Sequence, residues 1–135
     1  MGNHDDLLAS PPTAPRDLEL WLQHAAGFIL LRDVRGYAMN RLDPSLDAVA
    51  LAIARKAIDE TLYGLMMVLD GVAGGLSNAT HTVSLQTFVH LCERVPNGRK
   101  EVAKLDLFDG DGLCMGYHGW LRGDFGKTAV IVEKI

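Results

Sequence analysis

From Leu18 onward, apolar residues recur at steps of three and four: Leu18, Trp21, Leu22, Ala25, Phe28 and Ile29 share one helical face. The spacing predicts a helix that starts near Asp17, after Pro15-Arg16, and ends around Asn40 to Leu42. Its stretch Ala25 to Leu31 is almost wholly apolar, so it should be covered on more than one side, by the rest of the domain or by another subunit. Gly27 lies inside it and permits close helix packing or a bend. Arg32, Asp33 and Arg35 follow at once, so the stretch is far short of the ~20 residues that span a bilayer. Asp43-Pro44 then predicts a second start, with Asp43 as cap, Pro44 in the first turn and Asp47 near the positive end of the helix dipole. Leu46, Ala50, Ile53, Ala57, Ile58, Leu62, Leu65, Leu69 and Val72 trace its apolar stripe, and Gly74-Gly75 is the expected stop, one glycine being left-handed. A link as short as residues 41–45 makes the two helices an antiparallel hairpin.

Between Thr80 and Glu93 the period changes to two. Val83, Leu85, Thr87, Val89 and Leu91 alternate with Ser84, Gln86, Phe88, His90 and Cys92, which predicts a strand with one face on the helices. Pro96-Asn97-Gly98 reads as a turn, and Val102 to Phe108 as the returning strand of a hairpin over residues 81–108. Beyond Asp109-Gly110-Asp111-Gly112, the residues Leu113, Tyr117, Trp120 and Leu121 fall at helical spacing, with Asp111 as cap. Gly116, Gly119 and Gly123 weaken that helix. Thr128 to Val132 is a short β-branched run, a third strand or an edge-pairing tail. Residues 1–15, with Pro11, Pro12 and Pro15, cannot propagate a helix and read as a flexible arm in which Leu7 and Leu8 could dock. The expected architecture is α+β: a single domain over residues 16–135 in which a long antiparallel helical hairpin packs on a small antiparallel sheet, with a short C-terminal helix.

Composition narrows the function classes. The 135 residues carry 13 basic and 17 acidic side chains, a net charge of −4. That balance argues against a nucleic-acid binder, which needs a cationic face, and against a polybasic membrane-surface protein. Two cysteines are too few for a disulfide framework, and the opening MGNHDDLLASPPTAPRD has neither the basic flank nor the apolar core of a secretory signal. The start also lacks the Ser or Thr that a myristoylation signal places after Gly2. A cytoplasmic location is therefore expected.

Four groupings could carry chemistry. Asp109-Gly110-Asp111-Gly112 resembles the middle of a calcium loop, but aligning Gly112 with the loop glycine places Leu107 and His118 where oxygen ligands belong. His90 with Cys92 on a strand, and Cys114 with His118 on a helix, each share a face and would suit tetrahedral zinc if the two elements met. Neither pair has a Cys-x-x-Cys knuckle, and a buried cysteine is commonly a small apolar residue, so no metal and no cofactor are expected. Cys114 and His118 also have the spacing of a thiol–imidazole pair, without an orienting third group or an oxyanion hole. The glycines from Gly71 to Gly75 follow a helix, whereas phosphate loops precede one. Tyr117, His118, Trp120 and Arg122, with Phe125 close behind, form the segment best suited to a recognition surface or pocket wall, although the two aromatics also suit a core.

No motif is specific to one family. The absence of a catalytic constellation favours a non-enzymatic binding or interaction module, for example an accessory or cognate-inhibitor protein, with an unidentified protein partner. The other class is a small enzyme or ligand-binding protein using a pocket around residues 109–125. The apolar surplus at residues 25–31 further predicts a homodimer through the helical hairpin.

Overall fold

The computed structural model describes residues 7–132, and within them the chain is a mixture of helices and small antiparallel sheets, an α+β arrangement. Residues 1–6 of the expected 1–15 arm, on which the lipidation and signal readings fall, lie outside the described residues. Strand β1 (Leu7–Leu8) pairs antiparallel with β6 (Ile131–Val132) along the backbone, and the Leu8 side chain stays exposed. The Ala9 N–H continues the ladder by donating to the Val130 carbonyl at 2.8 Å.

Helix α1 (Pro15–Leu30) opens on Pro15, whose fixed φ suits the first helical position and whose missing N–H leaves no donor there to satisfy. The helix runs without a break through a π-helical turn, Leu31–Arg35, into α2 (Gly36–Asn40). Helix α3 (Ala48–Leu69) starts one turn later than the sequence predicts. Asp47, not Asp43, is its cap, with a carboxylate that accepts from the Ala50 N–H at 2.8 Å. Asp43 instead accepts from the N–H and hydroxyl of Ser45, closing a turn before the helix. The stop is early as well. Gly71 takes the left-handed position directly after α3, and Gly74 has a positive φ as expected but lies beyond the stop. The Val72 N–H reaches the Met67 carbonyl at 3.0 Å and the Gly71 N–H that of Val68 at 3.1 Å, which is a Schellman closure.

The expected hairpin over 81–108 is narrower. Strands β4 (Phe88–Val95) and β5 (Gly98–Asp106) pair around Pro96-Asn97, with a bulge after Leu91. Thr82–Val83 (β3) pairs instead with Leu76–Ser77 (β2), and Val83 and Leu85, expected on the core face, are exposed. The C-terminal run is β6, which pairs with β1 as an edge-pairing tail would and does not join the hairpin as a third strand.

Helix α4 (Leu113–Leu121) completes the set and organises the packing. It lies against both α1 and α3, whereas the contacts of α3 with the first helical run come from the 31–40 segment. The β4–β5 hairpin packs on α1. Trp21, Leu22 and Ala26 of α1, Leu62 and Met66 of α3, Leu105 and Leu107, Leu113, Tyr117 and Trp120 of α4, and Val130 form one core. Among the described residues no helix is long and apolar enough to cross a membrane.

Candidate functional site

The polar groups around α4 are arranged by α3. Asp70 follows the last residue of α3, and its carboxylate accepts from the Leu113 N–H at 2.7 Å and the Cys114 N–H at 3.0 Å. Asp111, which the sequence suggests as the cap of α4, points elsewhere. It accepts from Arg16 at 2.6 Å, and its N–H donates to the Gln23 side chain. A Cβ on Gly110 would sit 2.3 Å from the Gln23 oxygen, so any other residue there would displace that side chain.

Asp70 also governs the one partly buried thiol. Burial pushes the Cys114 thiol up, and the neighbouring carboxylate of Asp70 adds to the shift. Tyr63 is its other hydrogen-bond partner. A thiol that stays protonated is a poor nucleophile. His118, four residues on, makes no hydrogen bond to it. His118 is exposed and meets the Tyr117 ring edge-on, with centroids 5.8 Å apart. The thiol–imidazole pair is therefore not assembled.

Tyr117 and Trp120 belong to the core, at 3% and 2% exposure, while His118 and Arg122 are exposed. The Tyr117 hydroxyl donates to the carbonyl and the carboxylate of Asp59, both at 3.2 Å. Arg35 Nε donates to the same carboxylate at 2.7 Å. Burial, with the Asp59 charge behind it, pushes the Tyr117 phenol up to about 12. Trp120 lies on two helices at glycines: a Cβ on Gly27 or Gly116 would come within 2.5 Å and 2.4 Å of its ring. Gly27 thus serves close packing, and the glycine that weakens α4 locally makes room for its largest side chain.

His90 and Cys92 are both exposed on β4, and His90 is engaged by Glu101 across the hairpin. Among the described residues no three His, Cys, Asp or Glu side chains converge as metal ligands would. The two Cys/His pairs thus do not build one site.

What the sequence did not single out is a groove between the 31–40 segment and α3. Val34, Arg35, Ala38, Ala57, Ile58, Thr61, Leu62 and Leu65 line it, around a volume of about 250 Å³. Its walls are aliphatic apart from Thr61 and Arg35, and the Arg35 guanidinium is bound to Asp59. The signal was present as the four-residue step Ala57, Thr61, Leu65, but Ala57 and Leu65 read as part of a single core stripe. Neither Asp59 nor His24, which accepts from Trp120, carried any motif. Comparison with protein-family models, curated proteins and solved structures finds no match to this chain.

Proposed function

We propose that the protein is a non-enzymatic interaction module, a single domain over residues 16–135 in the cytoplasm, that forms a homodimer through its helical pair. The observation that carries this is the exposed apolar rim of the groove. Val49 and Ile53, two turns and one turn before Ala57 on α3, are 71% and 67% exposed, and Val34, Tyr37 and Leu65 are exposed as well. Together they leave on the order of 500 Å² of apolar surface, a large part of the ~800 Å² that each partner gives to a standard interface.

The occupant is a second copy, because the exposed ridge on α3 is complementary to itself. Ile53, Ala57 and Thr61 follow one another at steps of four, with Val49 and Leu65 at the margins. Ridges of that spacing interdigitate when two such helices cross. In an antiparallel pairing about Ala57, Ile53 enters the groove beside the partner's Thr61, and the small Ala57 lets the axes approach. Charges stay at the edge, where Lys56 and Glu60 pair with each other at 3.7 Å.

Non-enzymatic action is supported by the state of the polar groups. Asp70 and Asp59 are engaged by backbone N–H, guanidinium and phenol groups, and the thiol is held protonated. Tyr117 and Trp120, the two aromatics best suited to line a pocket built on residues 109–125, are buried in the core.

The test is cross-linking. Ala57→Cys in a Cys92→Ser chain should give disulfide-linked dimers under mild oxidation, since the position lies on the two-fold axis. Arg55→Cys, off the ridge, should not. Equal cross-linking at the two positions, or none at either, would refute the interface.

A further inference from the structure

His24 on α1 occupies a seat that neither the groove nor the α4 cap uses. Trp120 Nε1 donates to its Nδ1 at 2.9 Å, so Nδ1 carries a lone pair and the neutral ring holds its proton on Nε2. On the other side the ring meets the turn after α4 so closely that a Cβ on Gly126 would fall 2.5 Å from Cδ2. Phe125 of that turn stacks on Trp120, with planes 6° apart and centroids at 6.4 Å, and meets Phe28 edge-on at 5.4 Å. Turn 122–126 is thus seated on the His24–Trp120 pair.

The charged groups facing this ring come from two directions. Asp124 and Lys127 belong to the segment after α4, and Asp17 lies on α1 beside the same small hollow. Helix α4 presents the uncharged Trp120. Burial holds His24 below the ordinary histidine value, and the Asp124 charge opposes it.

We infer that His24 is a proton-operated latch on turn 122–126. A proton on Nδ1 sets two N–H groups against each other and removes the acceptor that the Trp120 indole uses, so Trp120 and Phe125 lose their seat together. The turn walls an open hollow of about 600 Å³ lined by Phe28, Phe125, Gly126 and Val130 among others, and its release takes away the wall that Phe125 and Gly126 supply. The neutral ring is the latched form. Latching is therefore complete above the ordinary histidine value near 6.5 and is lost as pH falls below it.

The experiment is a pH series on the full chain labelled with ¹⁵N. At pH 7.5 His24 should show the Nε2–H tautomer. As His24 titrates, the Trp120 indole resonance should shift with it and its proton should exchange at least tenfold faster. The Trp21 indole, which donates to the Ala129 carbonyl at 2.9 Å, should stay protected. His24→Gln keeps an acceptor that does not titrate and should abolish the transition. An Nδ1–H tautomer at pH 7.5, a Trp120 signal that ignores His24, or simultaneous loss of both indoles through global acid unfolding would each overturn the latch. The wild-type readings decide it even if the variant does not fold.

Discussion

The carboxylate of Asp70, at the end of α3, caps the N-terminus of α4 at Leu113, 43 residues further along the chain. One side chain therefore joins the C-terminus of one helix to the first turn of another, and it satisfies two of the N–H groups that every helix start leaves without partners. Asp70→Ala should cost about 2 kcal/mol, because cap loss is compounded by partly buried donors left without acceptors. A fall in Tm of roughly 6–8 °C is expected for a chain of this size. Asp111→Ala removes only an exposed ion pair with Arg16 and should cost under about 1 kcal/mol. Equal losses in the two variants would contradict the assignment of the cap.

Two glycines of the same helix should respond in opposite directions. A Cβ on Gly116 meets the Trp120 ring at 2.4 Å, whereas one on Gly119 meets nothing closer than 3.6 Å. Alanine is favoured over glycine in a helix by about 1 kcal/mol, and overpacking costs about 1–3 kcal/mol. Gly119→Ala should therefore leave thermal stability unchanged or raised, and Gly116→Ala should lower it. Trp120→Ala should cost about 3–5 kcal/mol, as large core truncations do. A Trp120→Ala chain of near-native Tm would return this residue to a surface role.

Alkaline titration tests the Tyr117–Asp59 contact. The folded phenol is pushed up to about 12 from an ordinary value near 10, so its contribution is complete below pH 10 and is lost as pH rises through 12. Two units correspond to about 2–3 kcal/mol. Denaturant unfolding between pH 9 and 12 should show that decline in the wild type and a shallower one in Tyr117→Phe. Parallel curves would mean that Tyr117 ionises like a free tyrosine.

The parts of this fold that the sequence made legible are those set by neighbours along the chain. Helix α1 was visible because Pro15 and the three-four spacing from Leu18 act locally. The β4–β5 turn was visible because Pro96-Asn97 admits little else. Errors arose where two signals of one kind compete within a turn. Asp43 and Asp47 can each cap a helix, and the preference of Asp43 for Ser45 decides between them. Gly71 and the Gly74-Gly75 pair can each end α3, and the Schellman bonds form at the first. Contacts across long separations were not legible at all. Nothing near Leu113 points to Asp70, and nothing near Trp120 points to His24. At the groove, Ala57 and Leu65 match a core stripe in period, and only the position of α4 against α1 and α3 shows which part of the stripe is left uncovered.

Sedimentation equilibrium of the wild type beside Ala57→Glu tests self-association through α3 most directly. Ala57 is exposed in the single chain, so the variant should stay folded and lose only the stability that self-association adds. At tens of micromolar the wild type should sediment at twice 14.7 kDa and the variant at 14.7 kDa. A monomeric wild type, or a variant that remains dimeric, would contradict the proposed function.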